Sequence, residues 1–326
     1  MILGLDIGGA NTKAASADGG YVESKYLPLW KGCDLEGALE SIRRSAGPAE
    51  AVGVAITGEL ADCYGSKKEG VEHIAGKVKK VFPDAVFYGT DGKFYTDAGE
   101  YRLLSAANWS ASARLIGSVH RDAIFIDIGS TTTDIIPIVE GVPVAGKTDF
   151  ERLSRGELIY AGALRTNVAA LLQRAEFRGK PVRTSSELFA ITGDVNLLLG
   201  NITVEDYTCD TPDGGPKSKE AAALRLARVL CCDLEEMTMA EAAELARQAY
   251  RRQVDDLKDG ISEVALRHGL RRAVVCGMGD FIGRDALAEL GMPFTLASTI
   301  YGKPVSRVFP AFAVARLLYD CLQKGR

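Results

Sequence analysis

The chain has 326 residues, of which 47% are hydrophobic and 25% are charged, and its formal net charge is −4. This length predicts two domains, and the modest charge argues against a nucleic-acid partner. No apolar run approaches the roughly 20 residues that a membrane-spanning helix requires. Seven cysteines form no metal-binding pattern and the sequence starts directly with an apolar strand, so we expect a reduced, cytoplasmic protein.

Two segments of the chain repeat one pattern. Residues 2–20 (ILGLDIGGANTKAASADGG) predict a buried strand, a glycine-rich turn, a second strand and a hairpin turn. Residues 123–142 (AIFIDIGSTTTDIIPIVEGV) repeat that order. Two copies of one unit predict two related domains, which we place at residues 1–120 and 121–326.

The other elements alternate in the first half and become mainly helical in the second. Between the copies, the pattern predicts strands over 51–56 and 85–88 and helices over 70–81 and 109–119. After the second copy it predicts helices over 158–174, 217–231 and 239–268, a strand over 273–276 and a closing helix over 309–323. Thr238 and Glu241 have the spacing of a capping box. We therefore expect an α/β fold of two domains around a cleft, with a helical insertion at about 150–270 and a C-terminal helix.

Each copy has an aspartate at the end of its apolar strand, Asp6 in the first and Asp127 in the second. A glycine turn lets backbone N–H groups approach phosphate oxygens, and an aspartate at a strand end can hold magnesium. One such turn is common in hairpins, but two in matching context predict a phosphate and Mg²⁺ site. Its candidate donors are Gly8, Gly9, Asn11, Thr12 and Lys13 in the first turn and Gly129, Ser130, Thr131 and Thr132 in the second.

A third glycine turn, at Gly277 and Gly279, follows the strand over 273–276. Alone it predicts only a tight turn between a strand and a helix. Together, DIGGANTK, DIGSTTTDI and VVCGMGD resemble the two phosphate motifs and the adenosine motif of the actin, heat-shock ATPase and sugar-kinase superfamily. That resemblance implies a duplicated, ribonuclease H-like fold and leaves open whether ATP binds.

Four further side chains are candidates with more than one interpretation. Glu59 and Asp62 follow a predicted strand at the edge where ligands bind in open α/β sheets, so either is a general base or a solvated carboxylate of a loop or helix start. Lys67 either contacts an anion or belongs to a solvated charge run. Arg165 is either an oxyanion contact or a surface residue.

Five further segments indicate one family within that superfamily: TGELADCYGSKKEG, Asp91-Gly92, Ala107-Asn108-Trp109, TDFERLSRGELIYAGALRT and RLARVLCCD. They resemble the hydantoinase A and oxoprolinase-related family, and within it the branch associated with methanofuran biosynthesis. The resemblance implies a transferase in which the phenol oxygen of γ-glutamyltyramine attacks 5-(aminomethyl)-3-furanmethanol diphosphate and pyrophosphate leaves. It also implies that Asp6 and Asp127 hold Mg²⁺, that the glycine turns hold the diphosphate and that Glu59 serves as base.

Other functions remain open at this point. An ATP-dependent small-molecule kinase would use the same three turns, and so would a nucleotide-binding regulatory protein without chemistry of its own. A hydantoinase or oxoprolinase subunit is a further alternative, against which the short chain argues. Formation of a homo-oligomer is not determined by the sequence.

Overall fold

Two mixed β-sheets form the frame of the molecule in the computed structural model, which describes residues 1–324. The first sheet has the order β3-β2-β1-β4-β5-β6, with strands β1 Ile2–Gly8, β2 Asn11–Ser16, β3 Val22–Tyr26, β4 Ala51–Thr57, β5 Val86–Tyr88 and β6 Phe94–Tyr95. The second has the order β10-β8-β7-β13-β14, and β9 pairs with β8. Its strands are β7 Ala123–Ile128, β8 Thr133–Val139, β9 Val142–Pro143, β10 Leu158–Ile159, β13 Ala273–Cys276 and β14 Phe294–Leu296. A separate hairpin joins β11 Arg174–Phe177 to β12 Lys180–Arg183.

The two sheets share one topology. Strand β1 pairs antiparallel with β2 and parallel with β4, and β7 likewise pairs antiparallel with β8 and parallel with β13. A further parallel strand extends each sheet, namely β5 in the first and β14 in the second. The predicted duplicated α/β fold of the actin and sugar-kinase type is therefore confirmed. The division at residue 120 stays a prediction.

Thirteen helices lie among the described residues 1–324. In the first half they are α1 Leu35–Ala46, α2 Lys67–Val81, α3 Tyr101–Leu104 and α4 Asn108–Gly117. In the second they are α5 Asp149–Ser154, α6 Val168–Leu171, α7 Thr192–Leu199, α8 Lys219–Val229, α9 Met239–His268, α10 Asp280–Glu289, α11 Ala297–Tyr301, α12 Lys303–Arg307 and α13 Phe309–Lys324. Over residues 1–324, none of these helices has the length and apolar character needed to cross a bilayer.

Strand β1 is apolar on both faces because helices cover both sides of its sheet. Leu3, Leu5 and Ile7 belong to one core with α1 and α2. The opposite face meets α13, where a Cβ on Gly4 would lie 2.0 Å from the carbonyl oxygen of Ala311. Glycine at this position thus lets the C-terminal helix lie directly on the central strand of the first sheet.

Helices α4 and α13 occupy the space between the two sheets. A single apolar core joins Ala111 of α4 and Phe309 of α13 to Phe125 of the second sheet and Ala55 of the first. The outer face of the second sheet is covered by α9 and α10. The two halves therefore share a packed interface, above which the carboxyl ends of β1 and β7 form the site.

Most predicted elements are confirmed to within a few residues, and the capping box of Thr238 and Glu241 is present at the start of α9. The predicted helix over 158–174 is wrong. Its first part forms β10 and a loop in which the N–H groups of Ala163 and Leu164 donate to Gly129 and Ser130. These bonds to the second glycine turn replace the helical ones, so only the short α6 remains helical.

Candidate functional site

A cavity of about 610 Å³ opens between the two glycine turns. Both halves contribute to its wall. The predicted residues in that wall are Asp6, Gly8, Gly9, Asn11, Lys13, Gly129, Ser130, Thr131, Thr132 and Arg165. The turns meet directly, since Asn11 Nδ2 donates to Ser130 Oγ at 3.0 Å. The structure thus places the two turns that the repeat predicted in the wall of one cavity.

In the first turn, the buried carboxylate of Asp6 lies opposite Lys13 in the antiparallel register. The hydroxyl of Thr57 donates to Asp6 Oδ1 at 3.1 Å, and Lys13 Nζ lies 3.7 Å from Asp6 Oδ2. Burial raises the pKa of Asp6, and the charge of Lys13 opposes that rise. Burial alone would lower the pKa of Lys13, but Asp6 and Asp127 raise it overall. The lysine is therefore a fixed cation beside the turn.

In the second turn, the position opposite Asp127 holds another acid, Asp134. Burial raises the pKa of Asp127 to about 6. Asp134 accepts a hydrogen bond from Arg152, whose other terminal nitrogen donates to Asp149 at 2.7 Å. Arg152 is only 3% exposed and stacks over Trp109 at 5.0 Å. An arginine from outside the repeat thus compensates the acid of the second hairpin.

Each turn is braced by a later segment of its own half. The N–H groups of Leu27 and Leu29 donate to the carbonyls of Ala10 and Gly9, while those of Ala163, Leu164 and Arg165 donate to Gly129 and Ser130. A Cβ on Gly162 would lie 2.5 Å from the backbone nitrogen of Thr131, so only glycine allows this approach. The two bracing segments also contact each other, because the guanidinium of Arg165 lies 4.5 Å from the ring of Trp30.

Two carboxylates of this site are of the kind that could hold a magnesium ion together with a phosphorylated substrate. Asp6 and Asp127 are both buried and both act electrostatically on Lys13, and Asp134 adds a third acid to the same region. Within residues 1–324 no group of three acidic, histidine or cysteine side chains is close enough to hold a metal alone. Mg²⁺ commonly binds through one or two carboxylates, waters and substrate phosphates, which is the donor set that these residues could complete.

Glu59 is not among the residues that line the cavity and is only 2% exposed. Burial raises its pKa to about 7, Asp149 adds to the rise, and Lys67 opposes it. Its Oε2 atom is buried without a hydrogen-bond partner among residues 1–324. The next residue, Leu60, lines the cavity. Glu59 is therefore a carboxyl group that can change protonation near neutral pH directly behind the wall.

The other predicted residues lie around the wall. Thr12 is buried within β2, and Lys67 is the first residue of α2, where its charge acts on Glu59. Gly277 and Gly279 pack on the carboxyl end of β7, where a Cβ on Gly277 would lie 2.3 Å from the Ile128 oxygen. The third turn thus supports the second one in this structure.

Sequence reasoning missed several wall residues. Asp134, Asp149 and Arg152 lie within segments already used for the resemblance. Nothing in the sequence indicated that Arg152 would bond to Asp134, 18 residues earlier, and to Asp149, 3 residues earlier. Trp30 was missed because its short loop carries no motif. Tyr26, Lys31, Asn108, Tyr160 and Asp210 were also missed, whereas Asp62, the alternative candidate for the base, does line the cavity.

The sequence profile of the hydantoinase/oxoprolinase family matches residues 50–320. The chain belongs to this family. Within the hydantoinase/oxoprolinase family, a relative from Methanocaldococcus jannaschii is 43% identical over 99% of both chains. It is named (4-{4-[2-(gamma-L-glutamylamino)ethyl]phenoxymethyl}furan-2-yl)methanamine synthase. A relative from Methanococcus vannielii with the same name is 42% identical over 62% of this chain and 92% of its own.

Among solved structures, a ROK family glucokinase from Streptomyces griseus in complex with glucose and AMPPNP aligns with 95% of this chain and 97% of its own. The sequence identity is 15% and the TM-score is 0.47.

Proposed function

We propose that this hydantoinase/oxoprolinase-family protein is an alkyl transferase of methanofuran biosynthesis. It joins 5-(aminomethyl)-3-furanmethanol diphosphate to γ-glutamyltyramine through an aryl ether and releases pyrophosphate. The observation that carries the proposal is the pair of glycine turns around one cavity that also contains carboxylates. The name of the M. jannaschii relative, which covers 99% of this chain, contains the phenoxymethylfuran unit that such a reaction forms.

The reaction exchanges one bond to carbon for another. The phenol oxygen bonds to the furanyl methylene carbon, the bond from that carbon to the diphosphate oxygen breaks, and its electron pair leaves with the diphosphate. The phenol proton passes to a carboxylate. The furan ring stabilises positive charge on the methylene carbon, so the main task of the protein is to stabilise the charge of the departing diphosphate.

The two turns supply that stabilisation. Backbone N–H groups of Gly9 and Ser130 would lie against the diphosphate oxygens, and Lys13 supplies a fixed positive charge. Asp6 and Asp127 would hold a magnesium ion, which neutralises diphosphate charge when bound. Because the turns are braced from behind, their donors are oriented before the substrate arrives.

Glu59 is the proposed base. A phenol has a pKa near ~10, so its proton must be removed as the new bond forms. Burial raises the pKa of Glu59 to about 7, which suits a base that works near neutral pH. The Oε2 atom of Glu59 has no hydrogen-bond partner among residues 1–324, so it would be the atom that accepts the proton.

Acidic side chains on the wall favour this donor substrate over ATP. Asp62 and Asp149 both line the cavity, and the charge of Asp149 acts on Glu59. The furan diphosphate carries an aminomethyl group, which is an ammonium ion at neutral pH and would pair with these carboxylates. ATP has no such cation.

The test is a reaction without nucleotide. Purified protein, Mg²⁺, the furan diphosphate and γ-glutamyltyramine should give ether product and pyrophosphate in equal amounts, measured by mass spectrometry and a pyrophosphate assay. A variant that exchanges an exposed lysine remote from the site, Lys80→Ala, should behave as wild type. Absence of product without ATP, together with a phosphorylated product when ATP is added, would establish a kinase instead.

A further inference from the structure

A row of side chains leads away from the second glycine turn along the cavity wall. Arg165 Nη1 donates to the hydroxyl of Thr131 at 3.1 Å, and its guanidinium stacks on Trp30 at 4.5 Å. The next residue after Trp30 is Lys31, whose Nζ lies 2.8 Å from Asp210 Oδ2. The row therefore runs from a phosphate-type turn to an aromatic ring and then to a pair of opposite charges.

The charged pair is open to a ligand. Lys31 is 53% exposed and Asp210 is 55% exposed, and both line the cavity. An exposed ion pair of this kind contributes little to the stability of the fold. Tyr26 OH also donates to Asp210 Oδ2, at 3.0 Å, so the carboxylate is held by two groups from the other half.

The loop that carries Asp210 is fixed from the interior. Arg225, which is completely buried, donates through Nε to Asp194 at 2.8 Å and through Nη1 to Asp213 at 3.1 Å. The same guanidinium donates to the carbonyl of Pro216. These bonds hold both ends of residues 213–216, which begin three residues after Asp210, while Asp210 itself is held by Tyr26 and Lys31.

An α-amino acid carries an ammonium and a carboxylate on one carbon, which is the charge complement of Lys31 and Asp210. We propose that this pair binds the free α-amino acid group of the γ-glutamyl arm of the acceptor, with its carboxylate on Lys31 and its ammonium on Asp210. Trp30 stacks on the acceptor between that group and the phenol. This inference rests on the proposed function for the identity of the acceptor.

The order of chemistry along the row matches the order along the acceptor. A phenol oxygen at one end must reach the carbon that bears the diphosphate, an aromatic ring and an amide follow, and the amino acid group is at the far end. On the wall, the glycine turn with Thr131 comes first, Arg165 and Trp30 follow, and Lys31 with Asp210 comes last. The pair would therefore determine which phenol is accepted, since phenols without an amino acid group leave both charges unused.

Calorimetric titration without the donor substrate tests this inference independently of turnover. The two probes are γ-glutamyltyramine and N-butanoyltyramine, which keeps the phenol and amide but lacks the α-amino acid group. Wild type should bind γ-glutamyltyramine about 10- to 100-fold more tightly, the range for hydrogen bonds to charged groups. Lys31→Ala and Asp210→Asn should each remove most of that preference, while Lys31→Arg should retain it.

Lys80→Ala is the matched control, because Lys80 is an exposed lysine that also pairs with a carboxylate, that of Glu36. Equal binding of the two probes by wild type, or a preference that survives in Lys31→Ala with its fold intact by circular dichroism, would overturn the inference. Ether formation is assayed in parallel. A binding preference that depends on Lys31, without any ether product, would support the amino acid site and refute the transferase reaction.

Discussion

The two glycine turns join strands in the same arrangement, but the residue opposite the strand-end aspartate has a different charge in each. In the first hairpin Lys13 lies opposite Asp6, and in the second Asp134 lies opposite Asp127. The first hairpin therefore compensates its own buried acid, whereas the second depends on Arg152 from α5. The repeat supplies two similar scaffolds, and the change at this position leaves the first hairpin balanced within itself and gives the second an additional acid.

The largest effect is expected for the strand-end aspartates, where the two copies are alike. Asp6→Asn and Asp127→Asn should each lower kcat by about 1000-fold, because each removes a carboxylate proposed to hold the ion that neutralises the leaving group. Steady-state kinetics with the furan diphosphate measures this, and circular dichroism checks the fold. Activity within a few-fold of wild type in either variant would contradict the metal role.

Arg152 gives the sharpest test of the difference between the copies. Arg152→Met leaves Asp134 buried without its cation and should lower the free energy of unfolding by about 3–5 kcal/mol. Lys13→Met should cost less, because Lys13 is 21% exposed and Asp6 keeps its bond from Thr57. Urea unfolding of both variants measures the contrast.

A double variant is the control for the loss of stability in Arg152→Met. Asp134→Asn added to Arg152→Met removes the uncompensated charge and should restore part of the lost stability. Equal losses for the Arg152 and Lys13 variants would show that the two hairpins are balanced in the same way.

Glu59 should make the stability of the protein depend on pH. Burial raises the pKa of Glu59 from its ordinary value of 4.5 to about 7, so the folded state binds this proton more tightly than the unfolded chain. The stabilisation is complete below about pH 4.5 and is lost as pH rises through 7. Glu59→Gln should therefore gain up to about 3 kcal/mol relative to wild type at pH 8 and nothing at pH 4.5. Unfolding at the two pH values decides this, and an equal difference at both would rule out the raised pKa.

The smallest effect concerns the bond that joins the turns. Asn11→Ala and Ser130→Ala each remove the hydrogen bond between Asn11 Nδ2 and Ser130 Oγ, and each should cost about 1 kcal/mol of stability. Because both remove the same bond, the double variant should cost about as much as either single one. Fully additive losses in a double-mutant cycle would show that the two turns are not coupled.

The repeat allowed the fold and the two turns to be predicted, since apolar strands and glycine turns are local patterns. Met239–His268 was predicted to the residue because its capping box and its apolar spacing agree. The prediction of a helix over 158–174 was wrong because the N–H groups of Ala163 and Leu164 donate to Gly129 and Ser130, each 34 residues earlier in the chain. Arg152 and Asp210 were missed for a related reason, as their partners come from other elements and no local spacing shows them.

In the proposed reaction, the bond between the furanyl methylene carbon and the diphosphate oxygen breaks in this cavity. The most direct measurement uses furan diphosphate carrying ¹⁸O at that bridging oxygen, incubated with γ-glutamyltyramine and Mg²⁺ without nucleotide. Mass spectrometry should find all of the label in pyrophosphate and none in the ether. Label retained on the furan product would mean cleavage at phosphorus, and the proposed transferase reaction would be contradicted.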